Sequence, residues 1–278
     1  LHVLLLEPEA GFPDMLVMTS GNLSEEPIAY EDTDALERLS GLADAFLTHN
    51  RPIHTRIDDS VVTLALDRQP YFFRRSRGYA PDPILLPKPA AQILAVGPEL
   101  KNTFCLTRDQ YAFLSHHIGD MENLETYQAF EEGIRHFQNL FRVHPEALAC
   151  DLHPNYLATH YAENRAAEEN LPLIRVQHHH AHLAACLADN GWETDEAVIG
   201  LSYDGTGYGT DGAIWGGEVV YGGYLGYERP FHLAYAPLPG GDISVRKPAR
   251  MALAHLWQSG LEWDPTLPPM HSLCQEER

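Results

Sequence analysis

A mixed α/β fold in two parts is what the sequence predicts, and three observations carry that expectation. Short apolar runs of strand length alternate with stretches whose leucines and alanines recur at helical spacing. Prolines at 81, 83, 87 and 89 punctuate "RGYAPDPILLPKPAAQ"; proline fixes its own backbone and biases the residue before it toward extended forms, so this stretch reads as a linker or extended strap. The composition, 44% apolar and 10% aromatic over 278 residues, is that of a globular chain long enough for two cores. The boundary falls near residue 88, giving domains 1–88 and 89–278.

Taken in order, the opening run Leu1–Leu6 is strand-like. "DMLVMTSGN" reads as a short buried strand ending in a turn, and "YEDTDALERLSGLADAFLTHN" as a helix. "RIDDSVVTLAL" and "PYFFRRSRG" follow as two strands. Beyond the boundary, "QILAVGPELKNTFCLTRDQYAFLSHHIGD" predicts two strands around a Gly-Pro turn, and a long helical pattern runs from Leu124 to Phe141. "EALACDL" is a strand, "NYLATHYAENRAAEEN" a helix, and "LPLIRVQ" a strand that feeds a histidine-rich helix. "EAVIGLSYDGTGYGTDGAIWGGEVVYGGYLG" then predicts paired strands around a glycine-rich turn.

Bulk properties narrow the function classes. No apolar run is long enough to span a bilayer, and the start lacks the basic segment of a signal peptide, with Glu7, Pro8 and Glu9 breaking its apolar run. It also lacks an initiator methionine, so the chain reads as a fragment of a longer one. Cys105, Cys150, Cys186 and Cys274 are widely spaced with no CxxC pair, which argues against a zinc ribbon and for a reduced, cytoplasmic setting. A net charge of −20 disfavours binding to a nucleic-acid backbone, which needs clustered Lys and Arg. The basic patch in "RRSRGYAP" suits a small polyanion such as a nucleotide.

Four histidines in five positions open the helix "HHHAHLAACLADN". Histidine is a middling helix former, so the cluster does not serve helix stability. With a helix start near Gln177, His178 and His182 lie at i and i+4 on one face, the spacing by which two imidazoles share one metal ion. His179 and His182 are the second pair, Asn190-Gly191 is a helix stop, and Asp204, expected at the end of the next strand, is the carboxylate candidate. The plainer alternative is a surface helix, or histidines hydrogen-bonded in a cleft.

Gly205, Gly207 and Gly209 belong to "YDGTGYGTDGAIWGGE", which is neither a Walker A loop nor a dinucleotide fingerprint. Glycines of this kind let the backbone approach a phosphate, although a hairpin with positive φ also explains them. Asp204 and Asp211 bracket the turn and are suited to holding a cation. In the first domain, Thr19, Ser20 and Asn22 follow the buried strand expected in "DMLVMTSGN", a common place for small-molecule sites in α/β folds, where hydroxyl and amide groups can bind a phosphate or a carboxylate-like group. A turn capping the following helix explains them equally well.

Together these motifs carry a resemblance. "LVMTSGNLSEEPIA" resembles the S-x-N signature of the YrdC-like family, whose members make carbamoyl-type adenylates from ATP, and "RRSRGYAP" its closing arginine-glycine segment. "VQHHHAHLAACL" resembles the metal-binding helix of the TsaD-like family, a branch of the actin/Hsp70-like (ASKHA) fold. Followed by "SYDGTGYGTDGAIWGGE", and with both domains in one chain, the whole is most similar to the HypF family of carbamoyltransferases in nickel–iron hydrogenase maturation. The resemblance implies the C-terminal part of a YrdC-like α/β domain followed by a truncated TsaD-like domain. The N-terminal HypF domains and a second lobe, with a further metal-binding aspartate, would lie outside the chain.

The resemblance also implies roles. Thr19, Ser20 and Asn22 would bind ATP or carbamate, supported by Arg74, Arg75 or Arg77, among which the sequence leaves the choice open. His178, His182 and Asp204 would form the catalytic metal site (zinc, iron or magnesium), and Gly205, Gly207 and Gly209 would line the nucleotide. His179 and His180 would support that site or touch nucleotide. Carbamoyl phosphate and ATP are the implied substrates, and the C-terminal cysteine of HypE the implied acceptor, with no nucleic acid and no membrane involved. The rival readings are a tRNA threonylcarbamoylation enzyme, built from the same two domain types, and a non-catalytic ATP-binding actin-like module.

Overall fold

Backbone pairing builds three sheets in the computed structural model, which describes residues 2–7, 11, 15–24, 26–66 and 68–273. The elements run α1 (His2–Leu6), α2 (Asp32–Leu39), β1 (Val61–Leu64), β2 (Pro70–Arg74), β3 (Ile84–Ala90), β4 (Ile93–Val96), β5 (Phe104–Leu114), α3 (Leu124–Phe141), β6 (Ala147–Asp151), α4 (Leu157–Glu169) and β7 (Leu173–Val176). They continue with α5 (His178–Asp189), β8 (Val198–Tyr208), β9 (Ile214–Gly223), β10 (Gly226–His232), α6 (Asp242–Arg246), α7 (Pro248–Gln258) and α8 (Pro268–Ser272). The chain divides into two compact units, Leu1–Val176 and Gln177–Arg278. No described helix is long and apolar enough to cross a membrane.

In the first unit, a five-stranded sheet has the order β3-β5-β4-β6-β7, and β1 pairs with β2 in a separate antiparallel ribbon. β4, β6 and β7 are parallel neighbours, while β5 and β3 run antiparallel. The parallel strands need crossovers, and α3 and α4 supply structure between β5 and β6 and between β6 and β7.

α3 matches the range expected from its periodicity, and its ends show why. The Asn123 side chain accepts the Thr126 N–H at 2.8 Å, and Arg142 closes the helix in the left-handed region, donating its N–H to Gln138 O. Ala129, Phe130, Ile134 and Phe137 lie on its buried stripe, and the last three pack into a core with Leu94, Phe104, Leu106 and Leu148. Gly133 allows close approach, because a Cβ there would stand 3.0 Å from Phe104 Cε1.

Three expectations change. Leu1–Leu6 is not strand-like: His2–Leu6 forms a short helix, since a brief continuous apolar run has no periodicity to separate the two states. The run Met15–Met18 is not a buried strand; it joins no ladder among the described residues, and Val17 is 95% exposed. Apolar character alone does not make a strand without a neighbour to pair with. The proline strap is itself β3, paired antiparallel with β5 at the sheet edge, where missing proline N–H groups are tolerated.

The second unit holds the antiparallel sheet β10-β9-β8 with α5 against it. His179, Leu183 and Leu187 are the buried stripe of α5, and Leu183 and Leu187 cluster with Val220 of β9. Gly200 in β8 makes room for that contact, since a Cβ there would lie 2.9 Å from Leu183 Cδ1. Cys105, Cys150 and Cys186 are unbonded, and Cys274 lies outside the described residues.

Candidate functional site

α5 starts where the sequence predicts. Gln177 is its N-cap, with Oε1 accepting the His180 N–H at 3.0 Å and Nε2 set 3.1 Å from His179 Nδ1. The helix stops at Asn190, followed by Gly191 at φ 62°. Because 179, 183 and 187 are buried against the sheet, the neighbouring stripe containing 178 and 182 runs along its margin.

There the two imidazoles meet Asp204. His178 Nε2 is 2.8 Å and His182 Nε2 3.2 Å from Asp204 Oδ2, and the two Nε2 atoms are 3.2 Å apart. Hydrogen bonds from His178 and then His182, outweighing burial, hold the Asp204 carboxyl far below the ordinary carboxylate range. Asp204 does not end its strand as expected. It sits inside β8, at a shift in the β8–β9 register between Tyr203 and Gly207. Its Oδ1 accepts the Gly205 N–H at 2.6 Å.

The donor set fits a divalent metal. Ligands around an ion at the roughly 2.0–2.1 Å of a zinc–nitrogen bond stand roughly 3.3 Å apart in a tetrahedron, close to the spacings of these three atoms. His178, His182 and Asp204 are the one group of three or more potential metal-ligating side chains that converge in this way among the described residues. The side chain of His178 is 15% exposed and that of His182 55%, so the site opens on one side.

His179 and His180 point elsewhere. His180 Nε2 donates to Gly223 O at 2.7 Å and its ring lies by Tyr227, tying α5 to β9. His179 is fully buried with Nε2 unpartnered, and burial lowers its pKa. Gly207 exists in its shadow: a Cβ at 207 would overlap His179 Cε1 and reach His178 Cβ at 3.1 Å. Gly209 is packed the same way against Trp215 and Asp211, whereas Gly205 has open space. The hairpin turn proper lies at 209–213, with Gly212 at φ 79°.

Asp211 does not join Asp204. It accepts the Tyr235 hydroxyl at 2.6 Å and the Trp215 Nε1–H at 2.9 Å, and the Tyr235 bond leads its shift down to about 2. Tyr235, Trp215, Glu218 and Arg229 around it were not read from the sequence as site residues. The signal available was Glu218, an acidic residue leading into the apolar run "VVYGG".

The first-domain candidates gather around a different cavity, of about 520 Å³, within the first unit. Ser20, Asn22 and Arg74 line it together with Lys101, His116 and His117. Thr19 is exposed and outside that lining. Asn22 Nδ2 donates to Leu23 O and Glu26 O at 2.8 and 3.0 Å, so its amide N–H groups also shape the turn.

The three arginines separate. Arg74 pairs with Asp58 at the cavity, whereas Arg75 donates to Tyr79 O and Asp82 O, and Arg77 to Ile57 O. Lys101, His116 and His117 come from beyond the proline strap and were missed. Burial lowers the pKa of His117, which has Arg74, Asp58, Asp120 and Lys101 as its charged surroundings. Burial takes His116 down to about 4, so it is neutral near pH 7.

Comparison with known proteins covers nearly all of the chain. The family model "HypF Kae1-like domain" matches residues 88–189, "Carbamoyltransferase, Kae1-like Domain, second subdomain" matches 200–278, and the Sua5/YciO/YrdC model, described as "Telomere recombination", matches 1–76. Carbamoyltransferase HypF of Synechocystis sp. is 45% identical over 92% of this chain and 32% of its own length. HypF2 of Cupriavidus necator is 44% identical over 94% of the chain and 34% of its own. A crystal structure described as full-length HypF in the phosphate- and nucleotide-bound form superposes with a TM-score of 0.81 at 50% identity, covering 86% of this chain and 31% of that one. HypF of T. kodakarensis also gives 0.81, at 40% identity, covering 87% of this chain and 31% of that one. The chain thus spans about a third of the length of the relatives it matches. With YrdC-like and Kae1-like segments in one mixed α/β chain and relatives of this identity along nearly all of it, the chain belongs to the HypF carbamoyltransferase family.

Proposed function

We propose that this chain contributes the adenylation and transfer sites of an ATP-dependent carbamoyltransferase in nickel–iron hydrogenase maturation, with a working boundary between the two near residue 88. The convergence of His178, His182 and Asp204, in a chain whose relatives are carbamoyltransferases, is the observation that carries the proposal. Carbamate, derived from carbamoyl phosphate, attacks the α-phosphorus of ATP, and pyrophosphate leaves. The thiolate of the C-terminal HypE cysteine then attacks the carbamoyl carbon and AMP leaves, giving the S-carbamoyl group from which the cyanide ligands of the active-site iron derive. A thiolate suits this role because it is nucleophilic near neutral pH.

Each site has a task of its own. Ser20, Asn22 and Arg74 line a cavity of nucleotide size. Arg74, offset there by Asp58, supplies positive charge toward phosphate, while Ser20 orients carbamate. His178, His182 and Asp204 would hold a divalent metal, which when bound polarises a carbonyl or phosphoryl oxygen. Gly205, beside Asp204 and open on its Cβ side, leaves room for a nucleotide to approach the backbone.

In the full-length protein, Arg74→Ala is expected to lower carbamate-dependent exchange of pyrophosphate into ATP by about 100-fold, the loss typical of one charge-stabilising group. Arg75→Ala and Arg77→Ala, whose partners are loop carbonyls and, for Arg77, also Asp59, should retain exchange. Equal losses in all three, or none in Arg74→Ala, would remove the adenylation reading of this cavity.

A further inference from the structure

The β8–β9 register contains an irregularity that places Asp204. Tyr203 stands opposite Gly217 and Gly207 opposite Trp215, so three residues of β8, Asp204 to Thr206, face Gly216 alone. Such a bulge bends its strand and re-aims a side chain, and here the re-aimed side chain is Asp204. Gly216 lets the strands close over it, since a Cβ at 216 would lie 2.8 Å from Asp204 O.

On the β9 side of the bulge, one carboxylate gathers the backbone donors. Glu218 Oε1 accepts the N–H groups of Gly216 and Gly217 at 3.0 and 3.1 Å. The residue is 2% exposed, and its second oxygen pairs with Arg229 Nε. A buried carboxylate is costly unless paired and hydrogen-bonded, and this one is both. Arg229 is held in turn, its guanidinium 3.9 Å over the Trp215 ring and its Nη1 donating to the Tyr235 hydroxyl at 3.0 Å. Burial pushes the Glu218 carboxyl up, but Arg229 and the two glycine N–H groups outweigh it, so the group remains charged near pH 7.

We propose that Glu218 is the positioning residue of the His178–His182–Asp204 centre: by binding the Gly216 and Gly217 N–H groups it fixes the β8 bulge that carries Asp204 to the two histidines. The inference rests on the metal reading of that centre. The Glu218 carboxylate is bonded to the Gly216 and Gly217 N–H groups and to Arg229, not to the three ligand side chains, and acts through the backbone. Arg229 keeps its carboxylate charged and in place.

The test measures Zn²⁺ affinity by equilibrium dialysis, and the visible spectrum of bound Co²⁺, on the full-length protein. Glu218→Ala is expected to weaken binding by about 10–100-fold, the usual cost of losing an outer support of a metal site, and to give the Co²⁺ spectrum of Asp204→Ala. Glu218→Gln keeps a carbonyl oxygen for both N–H groups and should bind within about 3-fold of wild type, a rescue that general weakening of the fold would not give. Adding Glu218→Ala to Asp204→Ala should cost no further affinity, because both remove the same ligand. Should Glu218→Ala fail to fold, Glu218→Leu with Arg229→Met removes the acceptor while replacing a buried ion pair by apolar groups of similar size. The same loss is expected of it. Wild-type affinity in the acceptor-free variant, or losses that multiply with Asp204→Ala, would overturn the role of Glu218. Wild-type affinity in His178→Ala as well would instead remove the metal reading beneath it.

Discussion

Replacing His178 or His182 by alanine in the full-length protein is expected to weaken Zn²⁺ or Fe²⁺ binding by more than the about 100-fold that even an outer support can cost. Each supplies one of three atoms that converge on a single point, and no other described side chain stands ready to replace it. His180→Ala should change metal affinity little, because its imidazole is spent on Gly223 O. Equilibrium dialysis on the three variants checks all of this, and uniform wild-type affinity would deprive the histidine helix of its chemistry.

The second large effect is expected at a glycine. Gly207→Ala would drive a methyl group into His179, which is fully buried between α5 and β8. Overpacking of this kind costs about 1–3 kcal/mol, and relieving it by moving α5 would carry His178 and His182 away from Asp204. Both stability and metal affinity should therefore fall. Gly205→Ala, with nothing within 4 Å of the added carbon, should change stability by less than about 0.5 kcal/mol. Denaturant unfolding of the two variants gives the comparison, and equal behaviour would show that the glycine packing under His179 is not selective.

What the sequence made legible follows from how local each signal is. Long helices with strong periodicity and caps, such as Leu124–Phe141 and the helix capped by Gln177, depend on residues within one or two turns, and both formed as expected. The i, i+4 pairing of His178 with His182 is equally local. The Met15–Met18 run was misread because strand formation depends on a distant partner. Arg74, Arg75 and Arg77 could not be ranked, since they differ only in tertiary surroundings: Asp58 and the cavity for Arg74, loop carbonyls for Arg75, and the Ile57 carbonyl with Asp59 for Arg77. Glu218 was hidden for the same reason. Its meaning depends on a two-residue register shift between strands, and strand alternation alone says nothing about where a ladder slips.

The glycines of the hairpin also meet a packing requirement that their sequence pattern does not announce. Gly207 and Gly209 in the sequence suggested backbone approach to a phosphate, yet a Cβ at either would overlap His179 or Trp215. Close packing of side chains against backbone therefore requires glycine at these two positions, whereas Gly205 has open space.

The most direct test of the account separates the two sites in one experiment. Full-length His178→Ala/His182→Ala protein is supplied with labelled carbamoyl phosphate, ATP and HypE. Both carbamate-dependent pyrophosphate exchange and label on the C-terminal HypE cysteine are then measured. The expected result is exchange near the wild-type rate with label on HypE lost, as follows if adenylation takes place in the Ser20–Arg74 cavity and transfer at the histidine centre. Undiminished transfer to HypE, or label appearing on tRNA instead, would contradict it.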